Sequence, residues 1–579
     1  MNKNYPIYKT TFIDDMRALV EESAQNFPDS IAISYKDKPS DKEVKKVTFK
    51  KWRNDVRELG TSLISRGLRE ENIAIVGENS YGWCCSFFAV MAIGSVTVPV
   101  DKELPIEDID GIISTTSCKA VIFGKTAEDK IKEILKNGGL KTVELFVSIE
   151  PTCSIDKSLL DGKSLASIAE LKEEGNDLYV LRGDNSYYDY KIDVNKLASI
   201  VFTSGTTGKG KGVMLSQANI CLDMTLGMYN FDITRKTLHV LPPHHTFGST
   251  VNYVGHLSQG CEVYISSGLK HVSDEIREQQ PTHLILVPAF LEVMNRKIWT
   301  TARKSKQEGL LKFMMKVSNG LRKIGIDIRR KLFSSVLEAF GGKLELVICG
   351  GAKLDEEIIK TFDALGITVL NGYGITECAP LISANRNKYR KPGSVGTPIL
   401  ACRVKIDNPD ENGEGEICVK GPNVMLGYYN NPEATAEVFD KDGFFHTGDY
   451  GRLDEEGWIY ITGRKKNLII LSNGKNVYPE EIEADMQKIE GVNEVVVYAG
   501  ESRAQKDKIT IVAEIYPDAD LLKDKGITDM QKYFEDQVKI LNDRMPHYKA
   551  VKRVKLRDTE FQKNTSRKIT RFSIDKNID

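Results

Sequence analysis

The sequence has few of the features that mark specialised classes of protein. Its ten cysteines form no Cys-x-x-Cys pair, its eight histidines form no His-Glu-x-x-His motif, and it contains no internal repeat or low-complexity tract. These absences exclude the common zinc and redox motifs and the solenoid architectures. Because no apolar signal core follows the first residues, we expect a reducing, cytoplasmic location.

The sequence also lacks an excess of charge of either sign. Eighty Lys and Arg residues stand against 81 Asp and Glu residues, which gives a net charge of −1. Without a global basic surface, we expect no nucleic-acid partner. Apolar residues make up 41 % of the 579 residues, as in ordinary globular proteins, and this length predicts more than one domain.

One uncharged run, 79–100, is long enough to cross a bilayer, which takes about 20 residues. Polar residues, glycine and proline interrupt it, and Val96–Val100 has the pattern of a strand that ends before Asp101. The run therefore predicts a buried helix followed by a strand, with a membrane span as the alternative.

Strand-like runs alternate with amphipathic helical stretches through the first two thirds of the chain. This rhythm predicts a large α/β body with mainly parallel sheets. The runs are 72–76, 120–123, 145–149, 199–202, 237–241, 282–287, 344–348 and 368–370. From 403 to 460, short strands between Asp- and Gly-rich turns predict a small barrel or antiparallel sheet. A smaller alternating unit follows Gly463, with strands predicted at 494–498 and 508–515.

Segment 303–343 carries the one strong local charge bias. It has eleven basic residues against three acidic ones, and apolar residues recur in it at helical spacing. One interpretation is a surface helix pair with a solvated basic face. The other is a peripheral contact with anionic lipid.

The most informative stretch runs from Ser199 to Leu215. A strand opens into ten residues, 203–212, that are all Thr, Ser, Gly or Lys. Glycines let the backbone curl with its N–H groups inward, hydroxyls donate to phosphate oxygens, and two lysines supply charge. This chemistry predicts a polyphosphate-binding loop rather than a flexible linker.

Residues 205–211 also satisfy the Gly-x-x-x-x-Gly-Lys pattern of P-loop NTPases. That motif continues with Ser or Thr and a helix that faces the phosphates. Here Gly212 follows, and 213–215 continue as a strand pattern, with a helix predicted only from about Ser216. We therefore expect a different nucleotide-binding class.

Thr203-Ser-Gly-Thr-Thr-Gly208 followed by Lys211-Gly-Val213 resembles the phosphate-binding signature of the adenylate-forming superfamily, which includes acyl-CoA synthetases, luciferases and the adenylation domains of peptide synthetases. Further matches follow in that family's order, from about Ile31 to Arg571. They are 350–352 (GGA), 371–377 (NGYGITE), 447–449 (TGD), 463–466 (GRKK) and 562–569 (QKNTSRKI).

The resemblance implies a fold and a division of the chain. We expect a large N-terminal body, 1–463, of two α/β subdomains plus a small β-barrel at 403–460. A small, mobile α+β lid, 464–579, is expected to turn on a hinge at Lys466. Lys568 of the lid is implied to reach the α-phosphate and the substrate carboxylate in the first half-reaction.

The resemblance also implies a nucleotide site for ATP and Mg²⁺. Thr203 and Glu377 are expected to hold Mg²⁺, Tyr373 to stack on adenine, and Asp449 with Arg464 to bind the ribose. The remaining expected nucleotide-binding residues are Ser204, Gly205, Thr206, Thr207, Gly208, Lys211, Gly350, Gly351, Ala352, Asn371, Gly372, Gly374 and Thr376. The chain departs from the family pattern at Gly210, where proline is usual, and at Arg567, where glycine is usual. The first departure predicts a more mobile phosphate loop, and the second puts the shape of the lid loop in question.

Within the superfamily the chain looks most like a long-chain fatty acyl-CoA synthetase, which implies a fatty acid, ATP and coenzyme A as substrates. The similarity lies in the basic helical insertion before Phe340, in Leu241–Gly248 and in Arg464-Lys-Lys466 with Ser472–Asn476. His245 and Phe247 are candidates for the border of the acyl site. No carrier domain follows Lys568, which favours a free thiol acceptor, although a separate carrier protein stays an alternative. Two alternative functional classes remain to be distinguished from an acyl-CoA synthetase by experiment. They are a P-loop NTPase and a non-catalytic nucleotide-binding protein.

Overall fold

The structure is a computed structural model that describes residues 8–203, 210–233, 235–471, 476–501, 509–563 and 569–577, apart from the side chain of Phe572. Its internal contacts separate two compact units. Unit 1 comprises Met1–Arg403 and Lys420–Gly443, and unit 2 comprises Val404–Val419 and Phe444–Asp579. The chain thus passes from one unit to the other three times.

The strands lie in five sheets. In chain order they are β1 (Ile31–Tyr35), β2 (Lys45–Thr48), β3 (Asn72–Val76), β4 (Val96–Val100), β5 (Ala120–Phe123), β6 (Leu145–Ser148), β7 (Ser164–Ser167), β8 (Leu197–Thr203), β9 (Lys211–Ser216), β10 (Lys236–His239), β11 (Glu262–Ile265), β12 (His283–Leu286), β13 (Leu346–Cys349), β14 (Thr368–Gly374), β15 (Leu381–Ala384), β16 (Thr397–Pro398), β17 (Arg403–Asp407), β18 (Gly415–Lys420), β19 (Gly427–Tyr428), β20 (Phe445–Leu453), β21 (Ile459–Arg464), β22 (Ile469–Ile470), β23 (Asn476–Val477), β24 (Val492–Gly500), β25 (Thr510–Pro517) and β26 (Arg553–Leu556).

The α-helices of the described residues are α1 (Met16–Asn26), α2 (Phe49–Ser65), α3 (Tyr81–Ala92), α4 (Ile106–Thr115), α5 (Glu128–Lys136), α6 (Ile168–Arg182), α7 (Ser186–Asp189), α8 (Gln217–Met228), α9 (His256–Ser258), α10 (Val272–Gln279), α11 (Pro288–Lys304), α12 (Glu308–Lys323), α13 (Arg329–Leu332), α14 (Ser334–Glu338), α15 (Glu356–Leu365), α16 (Pro432–Val438), α17 (Pro479–Met486), α18 (Ala519–Asp524) and α19 (Met530–Asn542). A π-helix, Phe247–Gly255, precedes α9.

Unit 1 contains two large sheets, so the predicted mixed α/β body is confirmed. One sheet has nine strands in the order β16-β15-β14-β13-β12-β10-β11-β1-β2, and the other has eight in the order β19-β9-β8-β4-β3-β5-β6-β7. Both are mainly parallel, with antiparallel strands toward their edges. All eight predicted strand runs of this region form strands, because continuous apolar runs between turn residues are typical of strands buried on both faces.

The uncharged run 79–100 forms helix α3 and strand β4, as predicted. The Ser80 hydroxyl caps α3 by accepting the Trp83 N–H, and all five residues of β4 are buried. Among the described residues, no helix combines the length and the apolar run that crossing a bilayer requires.

Unit 1 also buries three histidines close together. The rings of His256 and His283 stack with centroids 4.9 Å apart, and His239 lies on β10, which pairs with the β12 strand of His283. Burial lowers the pKa of His239 to about 3 and that of His256 to about 4, and it places that of His283 well below its ordinary value. All three are therefore neutral at pH 7.

Unit 2 contains most of the region 403–460, predicted as a barrel or antiparallel sheet, whereas Lys420–Gly443 of that region belongs to unit 1. The part in unit 2 forms a four-stranded sheet in the order β17-β18-β20-β21, in which β18, β20 and β21 pair antiparallel. Strands β24 and β25, predicted at 494–498 and 508–515, pair antiparallel, and β26 adds in parallel. A core around Val497, Ile515 and Phe534 joins this sheet to α17 and α19. The boundary at 463/464 and the mobility of the lid stay predictions.

Candidate functional site

The predicted phosphate loop joins two antiparallel strands, β8 and β9, of unit 1. Thr203 lies opposite Lys211, and its hydroxyl donates to the Lys211 carbonyl at 3.4 Å. Strand β9 continues to Ser216, whose side chain caps α8. Because a strand, and not a helix, follows the loop, the P-loop alternative has no structural support. Five predicted phosphate-binding residues lie outside the described residues: Ser204, Gly205, Thr206, Thr207 and Gly208.

Gly210, which stands where the family has proline, lies at the close approach of the two hairpin arms. A Cβ atom added at Gly210 would lie 2.8 Å from the carbonyl oxygen of Thr203. A side chain would therefore displace one arm, which gives the glycine a steric reason at this position. The predicted effect on loop mobility stays a prediction.

The Glu377 segment follows β14 at the carboxyl edge of the nine-stranded sheet. Asn371, Gly372, Tyr373 and Gly374 end this strand, and Thr376–Cys378 forms a single 3₁₀ turn before β15 returns antiparallel. Strand β13, which ends at Cys349 beside Asn371, leads into 350–352. The two predicted base-binding segments therefore meet at the edge where parallel α/β sheets bind ligands.

The glycines of the 350–352 segment adjoin a candidate residue of the acyl site. A Cβ atom at Gly350 would lie 3.3 Å from the ring of Phe247, and Gly351 has a φ of +87°, which favours glycine. His245 lies just before the π-helix that begins at Phe247, and its ring centroid is 4.2 Å from that of His244. Tyr373 is only 8 % exposed.

Tyr428 links the Glu377 turn to the hairpin, and the sequence reasoning missed it. Its hydroxyl donates to Glu377 Oε1 at 3.1 Å, and Lys211 Nζ lies 4.8 Å from its ring centroid. Its strand, β19, pairs antiparallel with β9. The structure thus brings together Lys211, Glu377 and Tyr428, which are more than 200 residues apart along the chain at the extremes. The sequence carries no local sign of this arrangement, because it depends on the pairing of β19 with β9, two strands far apart along the chain.

Two further buried side chains, those of Asp223 and Asn423, hydrogen-bond to the backbone next to Glu377. Both Asp223 carboxylate oxygens lie 3.2 Å from the Leu381 N–H, and burial raises the pKa of Asp223 well above its ordinary value. The Asn423 amide donates to the carbonyls of Cys378 and Leu381 at 3.2 and 2.7 Å. The Met425 N–H donates to the carbonyl of Glu377 itself at 2.8 Å. The backbone on both sides of Glu377 is therefore fixed by direct hydrogen bonds.

In unit 2 the sequence predicted a pair, Asp449 and Arg464, which the structure brings together. The two residues face each other across β20 and β21, and Arg464 Nε lies 2.8 Å from Asp449 Oδ1. Asp449 is 3 % exposed, and its N–H donates to the Thr447 hydroxyl at 3.1 Å. The Thr447 hydroxyl donates in turn to the Ile417 carbonyl at 2.8 Å, which fixes this part of β20 on β18.

Glu416, which the sequence reasoning also missed, contacts several groups around residues 447–449 of β20. Its Oε1 accepts the Gly448 N–H at 3.1 Å, and its Oε2 lies 2.7 Å from Lys465 Nζ and 3.1 Å from His446 Nδ1. Burial raises the pKa of Glu416, but hydrogen bonds from Lys465 and His446 outweigh burial and hold the pKa below its ordinary value. Ligand atoms of Asp407, Glu416 and His446 lie within 4.8 Å of one another, yet the Lys465 ammonium already supplies a cation to Glu416.

Of the two lysines expected to act in the lid, the structure describes one. Lys466 lies in a 3₁₀ turn, Lys465–Asn467, between β21 and β22. Lys568 and the neighbouring Arg567 lie outside the described residues. Both roles stay predictions.

The donor chemistry of unit 1 fits magnesium. A threonine hydroxyl at the base of the hairpin and the Glu377 carboxylate are hard oxygen ligands, which Mg²⁺ prefers. The Tyr428 phenol engages one carboxylate oxygen of Glu377 and fixes the orientation of the group.

Comparison with known proteins agrees with these features. The family model described as AMP-binding enzyme matches residues 20–429. Long-chain-fatty-acid–CoA ligase 5 of Rattus norvegicus is 30 % identical over 481 residues, which cover 79 % of this chain and 69 % of that protein. A long-chain-fatty-acid–[acyl-carrier-protein] ligase of Arabidopsis thaliana, AEE15, is 26 % identical over 548 residues, with 83 % and 74 % covered.

The fold recurs in solved structures. The crystal structure of ATP-bound MatB from Rhodopseudomonas palustris superposes with a TM-score of 0.73 at 24 % identity, covering 96 % of this chain and 98 % of that one. At this identity the likeness shows a shared fold.

Proposed function

The chain belongs to the AMP-binding enzyme family, and on that premise we propose that it is a fatty acid–CoA ligase that works through an acyl-adenylate. In the first half-reaction a carboxylate oxygen attacks the α-phosphorus of ATP, and pyrophosphate leaves. In the second, a thiol sulfur attacks the acyl carbonyl carbon, AMP leaves, and the thiol proton passes to solvent. The observation that carries the proposal is the meeting of Lys211, Glu377 and Tyr428 beside the glycine-rich hairpin.

The first half-reaction brings two anions together, so its main requirement is neutralisation of charge. The hairpin residues 203–208 and Lys211 bind phosphate oxygens, and Thr376 adds a hydroxyl. Mg²⁺ bound by Glu377 and Thr203 would neutralise phosphate charge. Tyr428 keeps the Glu377 carboxylate in one orientation, so the carboxylate needs no rearrangement when nucleotide enters.

The base and the ribose are assigned to separate groups of residues. Tyr373, Gly374 and 350–352 bind adenine at the carboxyl edge of β13 and β14. Asp449 accepts hydrogen bonds from the ribose hydroxyls, and Arg464, whose Nε lies 2.8 Å from Asp449 Oδ1, holds the carboxylate in place. Glu416 is a positioning residue that holds residues 447–449 of β20 through the Gly448 N–H.

The proposal for the lid rests on the family resemblance alone. Lys568 reaches the α-phosphate and the carboxylate during adenylation. Rotation at Lys466 then withdraws it and admits the thiol. Lys466→Pro is expected to abolish thioester formation and to retain pyrophosphate exchange.

The acid is proposed from the relatives, with Phe247 and His245 at the border of its site. A long-chain-fatty-acid–CoA ligase of rat and a fatty-acid–[acyl-carrier-protein] ligase of Arabidopsis share most of the chain at similar identity. Coenzyme A is the acceptor we favour, and a carrier protein is the second candidate because of the plant relative.

A panel of fatty and aryl acids tests the proposal. Each acid is incubated with ATP, Mg²⁺ and either coenzyme A or a carrier protein bearing phosphopantetheine, and AMP and thioester are measured. We expect AMP and pyrophosphate with a fatty acid, thioester with coenzyme A, and neither product with Lys568→Ala. Release of ADP and phosphate without an acid, or ATP binding without turnover for any acid, would contradict it.

A further inference from the structure

Helix α12, Glu308–Lys323, forms part of the basic segment singled out in the sequence, and it has apolar residues on two sides. Leu311 and Met315 are buried in the core of unit 1, and the helix contacts α11 and α15. Leu310, Phe313 and Val317 point elsewhere, since 56, 63 and 42 % of their surfaces are exposed. Packing within unit 1 therefore accounts for only one of the two apolar faces.

The exposed residues form a continuous stripe. Positions 310, 313, 317 and 324 are spaced by three, four and seven residues, which places them along one side of a helix. Ile324 caps the helix and is 71 % exposed, and Ile326, just beyond it, is 48 % exposed. We call these five residues the apolar stripe. A contiguous exposed stripe of large apolar side chains marks an interaction surface.

Two groups of basic residues in the segment differ in their contacts. Three arginines serve the fold: Arg322 and Arg329 pair with Asp363, and Arg330 donates to the Leu344 carbonyl at 2.7 Å. Lys306, Lys316 and Lys323 are exposed, and among the described residues they form no ion pair. These three lysines keep their charge available to an external anion.

The lysines stand beside the stripe. On a helix of 3.6 residues per turn, positions 316 and 323 share one side, next to the side of the stripe, and Lys306 lies two residues before the first residue of the helix. The one acidic residue of the helix, Glu308, is paired with Lys312 at 2.7 Å. An apolar stripe bordered by lysines is the pattern of a helix that lies in the interface of a membrane.

We propose that the apolar stripe and its flanking lysines dock unit 1 on an anionic lipid bilayer. The apolar side chains enter the boundary between headgroups and acyl chains, and the lysine ammonium groups extend to lipid phosphates. Such docking leaves the helix parallel to the surface. It requires no membrane-spanning segment, in agreement with the absence of one among the described helices.

Vesicle co-sedimentation of the full chain, without nucleotide or acid, tests this surface independently of the proposed reaction. Vesicles are of phosphatidylcholine alone or mixed with phosphatidylserine. We expect binding to the mixed vesicles, reduced by about tenfold or more in Leu310→Ser/Phe313→Ser/Val317→Ser. The triple variant Lys306→Gln/Lys316→Gln/Lys323→Gln is expected to bind mixed vesicles about a hundredfold more weakly than the wild type at low salt. Its binding to neutral vesicles is expected to change little.

A matched control uses exposed apolar residues outside this surface. Val180 and Leu181, at the end of α6, are 60 and 75 % exposed, so Val180→Ser/Leu181→Ser removes exposed apolar side chains elsewhere on unit 1. We expect wild-type binding from this control and unchanged melting temperatures for all variants. Equal binding by the stripe variant and the control would overturn the proposal. A dimer without vesicles that dissociates in the stripe variant would assign the surface to a second copy instead.

Discussion

The two units differ in how they hold their buried polar groups. In unit 1, burial raises the pKa of Asp223 and lowers those of His239, His244, His256 and His283. Its Glu377 carboxylate accepts from a phenol. In unit 2, Arg464 pairs with Asp449 and Lys465 pairs with Glu416.

This difference suits the ligand proposed for each unit. A carboxylate that accepts from a phenol suits a metal cation, whereas a carboxylate paired with arginine suits the uncharged hydroxyls of a ribose. It also gives the units different responses to pH, because neutral histidines and ionised carboxylates bind protons in different ranges.

The largest effect is expected on acidification, in unit 1. Four buried histidines, His239, His244, His256 and His283, have folded pKa values below the unfolded 6.5, so unfolding takes up as many as four protons as the pH falls below about 6.5. Asp223, whose folded pKa is raised, works in the opposite sense and releases one. The net three protons correspond to a loss of about 4 kcal/mol of unfolding free energy per pH unit.

Tryptophan fluorescence separates the units in this measurement. Trp458 is the tryptophan of unit 2, so in Trp458→Phe the thermal transition reports Trp52, Trp83 and Trp299 of unit 1. We expect a falling melting temperature between pH 6.5 and pH 5. A transition that does not move over this range would show that the histidines are not neutral and buried as described.

The second prediction compares the loss of the Glu377 carboxylate in unit 1 with the loss of the Asp449 carboxylate in unit 2. Glu377→Gln removes charge from the proposed metal ligand and is expected to lower kcat for adenylation by about 10²–10³-fold. Asp449→Asn weakens hydrogen bonds to a bound ribose and is expected to raise the KM for ATP by about tenfold or more, with a smaller effect on kcat. Pyrophosphate exchange at varied ATP measures both. Equal kcat and KM effects of the two changes would remove the distinction between the units.

The third prediction concerns the charge behind the ribose pair. Glu416→Gln removes the partner of Lys465 and His446 and is expected to destabilise unit 2 by about 1–2 kcal/mol, since Lys465 is half exposed and regains water. Because the pKa of Glu416 is lowered, its contribution is present above about pH 4.5 and is lost as the pH falls through the lower folded value. Thermal unfolding followed by Trp458 measures this.

Glu455, an exposed carboxylate in a turn of the same sheet, provides the control. Glu455→Gln is expected to leave the transition unchanged. A Glu416→Gln protein as stable as the control would mean that the charge contributes nothing.

The smallest effect is expected from Tyr428→Phe. Loss of the hydroxyl removes one hydrogen bond to Glu377 and is expected to cost about 1 kcal/mol of stability. The Mg²⁺ concentration for half-maximal adenylation is expected to rise several-fold, because the carboxylate loses its fixed orientation. The neighbouring Tyr429→Phe is the matched control and should change neither. Identical magnesium curves for the two variants would argue against an orienting role.

The sequence predicted the strands well and the supporting side chains poorly, for a physical reason. A run such as Ala120–Phe123 is apolar throughout because both faces of its sheet are covered, so composition alone predicts it. The hairpin could be told from a P-loop by Gly212 and the strand pattern after it. These are local properties of the chain.

Tyr428, Asp223, Asn423 and Glu416 could not be found in the same way. Each acts through a partner distant in sequence, as Asp223 does on Leu381, and a lone Tyr or Asn in a polar stretch carries no signal of such a partner. The register of β19 on β9 places Tyr428 beside Lys211, and register depends on the whole sheet. The roles of Lys568 and Lys466 rest on resemblance alone.

The three passages of the chain between the units have a consequence for engineering. Lys420–Gly443 returns to unit 1 between two stretches of unit 2, so neither unit is a continuous piece of sequence. A chimera that exchanges everything after Arg403 discards Tyr428 together with its strand. One joined after Asn467 keeps Tyr428, the Asp449–Arg464 pair and the Glu416–Lys465 pair. The exchangeable cassette of this chain therefore starts after the 3₁₀ turn Lys465–Asn467.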